Sequence, residues 1–229
     1  MQAAASILVS GNTTLDVITI CNVPYNPSGK RPVTQYKQTP GGQAANLAHL
    51  LANLGNNVSF IGAIGNDAAA QIVVEDFRCA GIEVLHSAFC SAPHHIGFVR
   101  VDQNDGERFI DMYKDPQLTC DSLELDEGWV KGFDCIYIDS HEPALALRIG
   151  QLGQKLNIPV VADVEEVNEN TSALLQYIDV LIAPGKIVTQ LGHSADVEKA
   201  VQSTLARGFA AVVATLGAGG CLGVSREET

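Results

Sequence analysis

Short apolar runs alternate with helical patterns along most of this chain of 229 residues. The runs are bounded by glycine, proline or polar residues, which is typical of buried strands, whereas apolar residues spaced three or four apart predict helices. Strands that alternate with helices favour parallel strands joined by right-handed crossovers. We therefore predict an α/β fold with a Rossmann-type, mostly parallel central sheet flanked by helices. The predicted strands span residues 7–11, 58–62, 135–138, 159–162, 180–183 and 210–215, and the predicted helices span residues 44–54, 67–80, 143–156, 171–177, 186–191 and 195–207.

Four further apolar segments interrupt this rhythm and predict a smaller sheet. Residues 17–23 and 33–38 are joined by a polar loop that is rich in proline and glycine. Residues 95–101 and 108–112 flank a polar segment with Asp105-Gly106, which is a strong signal for a hairpin turn. We expect strands from about 17–38 and 95–112 to form this smaller sheet within a single domain spanning residues 1–229.

A glycine pair opens the first predicted helix. Gly41 and Gly42 end an extended segment, and glycine lets a ligand approach the backbone because no Cβ stands in the way. The first free N–H groups of the helix then point at that ligand. Asn46, about one turn into the helix, can donate and accept hydrogen bonds, which suits neighbouring hydroxyl groups. The alternative is a tight turn with a good helix cap and no ligand.

Polar residues follow several predicted strands at their carboxyl ends, where open α/β sheets bind ligands. Asn12 and Asp16 follow the first strand, although an Asx turn would also explain them, and Asp163 is interpreted as the cap of a loop. Residues 215–220 form a glycine-rich turn, which makes either a concavity for anions or a plain turn between strands. The pair His94-His95 has no third ligand at helical spacing, so we interpret it as ordinary histidines at a strand entry.

Composition restricts the classes of binding partner and the cellular compartment that we expect for this protein. The chain has 26 acidic against 14 basic residues, and its net charge of −12 disfavours nucleic acid and anionic membranes as partners. Hydrophobic residues make up 46%, which is enough for a sizeable core. The six cysteines form no Cys-x-x-Cys pair, so we expect free, mostly buried thiols in a reducing compartment. No secretory signal and no apolar run of ~20 residues is found, so we expect a cytoplasmic protein without a membrane span.

A stretch that begins at the glycine pair resembles the first signature of the ribokinase-like carbohydrate kinases, the PfkB family. That signature has Gly-Gly, an Asn one turn later, a small residue and two spaced glycines. The matching positions are Gly41, Gly42, Asn46, Ala48, Gly55 and Gly65. The resemblance covers residues 7–223 and implies a ribokinase-like fold. It also implies that the smaller sheet is a lid over the sugar, which excludes water that would otherwise accept the phosphoryl group.

The resemblance further implies an activity and the residues that carry it. It predicts an ATP-dependent sugar kinase that uses Mg²⁺ and transfers the γ-phosphoryl group to a hydroxyl of a small carbohydrate. Some family members dimerise through the lid, so the resemblance allows a homodimer here and leaves the oligomeric state open. Phe98 could instead pack between lid and body, and His141 or Glu142 could take the place of Asp139. The expected sugar-binding residues are Asn12, Asp16, Gly41, Gly42, Gln43, Asn46, Phe98 and Asp139, and the expected ATP-binding residues are Thr215, Gly217 and Gly220.

Two features depart from the family pattern. The Asn-x-x-Glu motif, which is linked to magnesium and phosphate binding, is replaced by Pro184-Gly185-Lys186-Ile187-Val188, and this leaves the metal ligands unknown. The later signature Asp-Thr-x-Gly-Ala-Gly-Asp, whose last Asp is the catalytic base, does not occur in the 229 residues. We therefore expect the catalytic Asp beyond Thr229, in a chain that is incomplete at its C-terminus.

Three other functions were weighed against the sugar kinase. A nucleoside kinase of the same family would need an aromatic or apolar slot for the base, which the aromatic content of 6% disfavours. A non-catalytic sugar-binding relative would account for the missing base. A dinucleotide-binding oxidoreductase is disfavoured because no Gly-x-Gly-x-x-Gly follows the first strand.

Overall fold

The computed structural model describes residues 3–22, 30, 32–85, 88–121 and 123–226. The elements of the first half are β1 (Ser6–Ser10), β2 (Thr14–Cys21), β3 (Gln35–Gly41), α1 (Gln43–Asn53), β4 (Asn57–Ile61), β5 (Ala63–Ile64), α2 (Ala68–Cys79), β6 (Glu83–Val84), β7 (Ala88–Phe89), β8 (Ile96–Asp102) and β9 (Arg108–Tyr113). Those of the second half are β10 (Cys135–Asp139), α3 (Pro143–Leu156), β11 (Val160–Asp163), α4 (Glu169–Leu174), β12 (Val180–Pro184), α5 (Gly185–Leu191), α6 (Val197–Leu205), β13 (Ala211–Thr215) and β14 (Cys221–Ser225).

The central sheet is mostly parallel, as predicted. Its strand order is β14-β13-β12-β11-β10-β1-β4-β6, and each neighbouring pair is parallel except β13 with β14. Inside the sheet, Ile7 of β1 pairs with Val58 of β4 and with Cys135 of β10. Because the strands run in one direction, their carboxyl ends meet at one edge of the sheet, which is where such folds bind ligands.

The two faces of this sheet carry separate hydrophobic cores, because successive side chains of a strand point to opposite faces. Leu8 and Ile136 belong to the core that includes residues of α3, α5 and α6. Val9 and Tyr137 belong to the other core, which includes residues of α1 and α2. Strands buried on both faces explain why the sequence shows continuous apolar runs rather than alternation.

The helix ends follow the predicted signals. The side chain of Asp67 caps α2 by accepting a hydrogen bond from the N–H of Ala70 at 3.0 Å. Pro143 occupies the first turn of α3, where its missing N–H costs nothing. Gly55 follows α1 with a φ of 88°, a conformation that favours glycine.

The small sheet has the strand order β3-β2-β8-β9, and its central pair, β2 with β8, is parallel. Its strand bounds differ from the prediction, because β2 begins at Thr14 and β3 runs into the glycine motif as far as Gly41. Asp16 therefore lies inside β2 instead of in a loop after β1. The predicted proline-rich loop, residues 24–32, lies mostly outside the described residues.

Some features were not predicted by the hydrophobic pattern. The strands β5, β6 and β7 are each two residues long, too short to show a period, and β14 was missed as well. All six cysteines are free as expected, but "mostly buried" was wrong, because only Cys21 and Cys120 are buried. Among the described residues, no helix has the length and apolar character needed to cross a membrane.

Candidate substrate and phosphate site

Asp16 sits between two glycines of the small sheet. A Cβ on Gly41 would overlap the Asp16 carboxylate, and a Cβ on Gly97 of β8 would lie 2.5 Å from its Oδ1 atom. The hydroxyl of Thr14 donates a hydrogen bond to the same Oδ1 at 2.7 Å. The sheet therefore fixes one oxygen of the carboxylate. A Cβ at Gly41 or Gly97 would displace the Asp16 carboxylate from this position, so glycine at both positions leaves the space that Asp16 fills.

Gly42 packs against the loop that leaves β1. Its φ is 93°, and an added Cβ would lie 2.7 Å from the carbonyl oxygen of Asn12 and 2.9 Å from Cα of Thr13. The carbonyl of Gly42 accepts the N–H of Asn46 at 3.0 Å, which starts the hydrogen bonds of α1. The close approach predicted for this glycine is thus found, and here its partner is the protein's own backbone.

Asp139, at the carboxyl end of β10, is fully buried. Its Oδ2 accepts the N–H of Asn12 at 2.8 Å, and its Oδ1 accepts the N–H of His141 at 3.0 Å. Burial raises the pKa of Asp139, and these backbone donors together with that of Ala44 oppose the rise. Asp139 thereby ties together the loop after β1, the start of α1 and the turn after β10. Its contact with a sugar stays a prediction.

Gln43 connects the start of α1 to the end of β11. Its side chain hydrogen-bonds to Asp163, whose pKa is raised by burial and lowered in part by this bond. The Gln43 Oε1 atom is buried and has no hydrogen-bond partner among the described residues. Sequence reasoning interpreted Asp163 only as the cap of a loop and did not predict its contact with Gln43. The signal that could have found it is its position, since Asp163 pairs directly with Asp139 at the ligand-binding edge.

Asn46 is exposed and lines a cavity of about 440 Å³. The same cavity is lined by Thr39, which pairs with Asp16 across β2 and β3. His49 and Asp76 form another wall, with His49 Nε2 lying 2.8 Å from Asp76 Oδ2 but not aligned as a hydrogen bond. Asn46 is therefore near the Asp16 strand pair, although the cavity continues away from it between α1 and α2.

Phe98 lies on β8 and pairs with Val17, one position beyond the pairing of Gly97 with Asp16. Because side chains alternate along a strand, Phe98 points to the opposite face of the small sheet from Asp16. Phe98 is 45% exposed. The structure does not bring Phe98 to the Asp16 carboxylate, so a contact between Phe98 and the sugar stays a prediction.

The predicted phosphate turn follows β13, at the edge of the central sheet where the carboxyl ends of the parallel strands meet. Thr215 ends β13, and Gly217 and Gly220 both have positive φ angles, of 58° and 82°. The turn uses the N–H groups of Leu216, Gly219 and Gly220 for its own hydrogen bonds. At roughly 4.8 Å per strand, β13 lies about 14 Å from β10, which ends at Asp139.

A family model for pfkB family carbohydrate kinases matches residues 4–229. The chain belongs to the pfkB family of carbohydrate kinases.

Three proteins illustrate the relationship. A 5-dehydro-2-deoxygluconokinase from Clostridium botulinum is 28% identical over 156 residues, which cover 62% of this chain and 46% of that protein. Ribokinase from Haemophilus influenzae is 25% identical over 219 residues, which cover 91% of this chain and 71% of that protein. The ribokinase of Arabidopsis thaliana, solved in complex with ribose and ATP, superposes with a TM-score of 0.77 at 18% identity over 99% of this chain and 77% of that chain. The expected ribokinase-like fold is confirmed, and the chain spans about half the length of the Clostridium relative.

In this pfkB-family chain, the segment that replaces Asn-x-x-Glu joins β12 to α5. A Cβ on Gly185, the first residue of α5, would lie 2.8 Å from Cδ2 of Leu216. The start of α5 therefore packs against the phosphate turn. Among the described residues, no group of three or more His, Cys, Asp or Glu side chains is placed to hold a metal ion. The structure accordingly assigns no Mg²⁺ ligand within those residues.

Glu142 precedes α3 and shares its surroundings with Asp139. Burial raises the pKa of Glu142 to about 7, an effect that the charge of Asp139 reinforces and a hydrogen bond with the backbone of Cys120 opposes. A carboxyl group with a higher pKa in the folded state stabilises the fold while it is protonated. This contribution is complete below the ordinary value of 4.5 and is lost as the pH rises through about 7.

We predict that Glu142→Gln, which cannot ionise, matches the wild type in stability at pH 4.5 and exceeds it by about 2 kcal/mol at pH 8. Urea unfolding of both proteins at both pH values measures this difference. Glu124→Gln, at an exposed position, is the matched control and should change neither value. Equal stability of wild type and Glu142→Gln at pH 8 would contradict the prediction.

Proposed function

We propose that this chain carries the sugar-binding part and the first phosphate turn of an ATP-dependent sugar kinase. The reaction transfers the γ-phosphoryl group of ATP to a hydroxyl of a small carbohydrate, and ATP is used together with Mg²⁺. The observation that carries the proposal is the Asp16 carboxylate, which is held in the small sheet by Thr14 and by the space that Gly41 and Gly97 leave, next to the segment that leads into α1.

The polar atoms around Asp16 suit a neutral polyol. The Oδ2 atom of Asp16 is an acceptor, whereas the side-chain nitrogen of Asn12 is a donor. A hydroxyl group donates one hydrogen bond and accepts others, so neighbouring hydroxyls of a sugar can satisfy both groups. The negative charge of Asp16 disfavours an anionic substrate at this position, since like charges repel.

The small sheet has a physical role in this proposal. Asp16 belongs to the small sheet and lies against Gly41, which leads directly into α1 of the body. A sugar bound to Asp16 would therefore be covered by the sheet as a lid, which excludes water that competes for the phosphoryl group. The relatives named as kinases, and the Arabidopsis ribokinase solved with ribose and ATP, support the proposed sugar kinase function.

The phosphate turn completes the proposed cleft. A turn with positive φ angles can form a concavity for anions, and such a turn is present at Gly217 and Gly220, where the N–H groups of Gly217 and Ala218 take no part in the hydrogen bonds within the turn. In our proposal Thr215, Gly217 and Gly220 contact the phosphates of ATP. We assign no base for the sugar hydroxyl among these residues.

Sugar binding is tested by two substitutions that act on one carboxylate. Asp16→Asn removes the charge, whereas Gly97→Ala keeps it and places a Cβ 2.5 Å from its Oδ1. We expect each to weaken the binding of D-ribose or D-fructose roughly 10- to 100-fold in isothermal titration calorimetry, because a charged hydrogen-bond partner is lost or displaced. Asp105→Asn, at the exposed tip of the lid hairpin, should leave the affinity unchanged. Unchanged affinity in both site variants would overturn the proposed role of Asp16.

Nucleotide binding separates the kinase from a sugar-binding relative without transfer. We expect Mg²⁺-ATP to raise the melting temperature of the wild type, because a ligand that binds the folded state stabilises it. Gly220→Val, which cannot easily adopt the φ of 82°, should abolish that rise and keep the rise caused by sugar. A rise with sugar and none with Mg²⁺-ATP in the wild type would favour the sugar-binding relative.

Homodimerisation through the lid is part of the proposal. The lid exposes several large apolar side chains, and exposed apolar patches mark interaction surfaces. We expect sedimentation equilibrium to give about twice the chain mass of 24.3 kDa, and Phe109→Lys to return the monomer mass. A monomer mass for the wild type would exclude the dimer. The exposed apolar residues of β8 and β9 are Phe98, Phe109, Ile110, Met112 and Tyr113.

A further inference from the structure

His95 lies where the chain enters the lid. It is 6% exposed and directly precedes β8, and its carbonyl oxygen accepts the N–H of Leu15 in β2 at 2.9 Å. Its ring reaches back to the body of the protein, where Nδ1 lies 3.3 Å from Oδ1 of Asn12. His95 therefore links the base of the lid to a residue of the proposed sugar site. This contact goes beyond the ordinary strand entry that the sequence predicts.

The surroundings of the ring decide which nitrogen carries its proton. Burial lowers the pKa of His95, with Lys114 acting in the same direction and Asp115 opposing it, so the ring is neutral at pH 7 and carries one N–H. His94, the nearest ring, has its pKa lowered to about 4 and is neutral as well. The backbone of Asp115 acts as a hydrogen-bond acceptor toward the ring, but the buried Nε2 atom has no hydrogen-bond partner of good geometry within the described residues. The proton is better placed on Nδ1, where Asn12 Oδ1 accepts it, since an unpaired buried N–H is costly.

Asn12 is thereby held from two sides. Its backbone N–H donates to Asp139, and its side-chain oxygen accepts from His95. Its amide nitrogen has no hydrogen-bond partner among the described residues and is not one of the fully buried unpaired atoms. Both N–H groups of that amide are consequently available to a ligand beside Gly42, which packs on the Asn12 backbone.

We propose that His95 is a positioning residue, whose Nδ1–H fixes the Asn12 side chain so that the amide N–H groups face a hydroxyl oxygen of the substrate. The inference rests on the proposed function, because it places Asn12 in the sugar site. If the ring proton were on Nε2, the Asn12 amide would turn over and offer an acceptor in place of donors. The tautomer of His95 thus decides whether the Asn12 side chain presents hydrogen-bond donors or an acceptor to the substrate.

The first experiment reads the ring without any ligand. Long-range ¹H–¹⁵N correlation spectra of histidine-labelled protein at pH 7 distinguish the two neutral tautomers. We expect the His95 ring, assigned through the His95→Asn spectrum, to be protonated at Nδ1 in the wild type and to lose this preference in Asn12→Ala. Protonation at Nε2 in the wild type would overturn the inference and leave the proposed function standing.

The second experiment is a double-mutant cycle for binding of D-ribose or D-fructose, with thermal unfolding as a check on folding. His95→Phe keeps the ring shape without nitrogens and should weaken binding about tenfold, as should Asn12→Ala, while the double variant should be no weaker than Asn12→Ala alone. His95→Asn, whose amide nitrogen can stand where Nδ1 stood, should restore most of the affinity. His94→Asn is the matched control, because His94 Nδ1 accepts from Gly65 and makes no contact with Asn12.

The binding results distinguish the positioning role of His95 from the proposed sugar kinase function. Additive losses in a protein that binds sugar would overturn the positioning role of His95 alone. A wild type that binds no sugar, with folding intact, would overturn the proposed function and the role of His95 together.

Discussion

The site depends on one buried carboxylate. Asp139 accepts backbone N–H groups from the loop after β1 and from the turn after β10, and the start of α1 contributes a third. A buried carboxylate is costly unless several donors satisfy it, so the three segments are held close to this one side chain. A Cβ on Gly11 would overlap it, which leaves glycine as the residue that fits beside it. Because Asn12 and Gly42 belong to the segments so joined, the polar wall of the proposed sugar site takes its shape from Asp139.

The glycine motif is explained better by the room that it leaves for the Asp16 carboxylate than by room for a ligand alone. Gly41 and Gly97 come from different strands of the lid, and both leave room for Asp16. The carboxylate is thus held by the lid, whereas the donors and the start of α1 belong to the body. A sugar that bridges Asp16 and Gly42 would therefore fasten the lid to the body, which links binding to the exclusion of water. His95 strengthens this link because it stands at the base of the lid and contacts Asn12.

The sequence predicts the fold well because buried parallel strands have a clear local signature. The central sheet, its crossovers and the capped start of α2 follow from runs such as residues 58–62 and from Asp67. The hydrophobic pattern does not predict features that depend on strand pairing between residues far apart in the chain. The strand β3 reaches Gly41 only because it pairs with β2, and Phe98 turns away from Asp16 through a register that no local signal shows. The contacts of Asp163 with Gln43 and of His95 with Asn12 were not predicted for the same reason, since these partners are far away in the chain.

The most direct test of the account is a crystal structure of this chain soaked with a saturating concentration of the sugar that binds best in calorimetry. The account predicts sugar density between the lid and α1, with hydroxyl groups within hydrogen-bonding distance of Asp16 Oδ2 and the side-chain nitrogen of Asn12. Sugar density found only in the cavity formed by His49 and Asp76 would contradict the account. Absence of density beside Asp16, in a crystal where the sugar fully occupies another site, would contradict it as well.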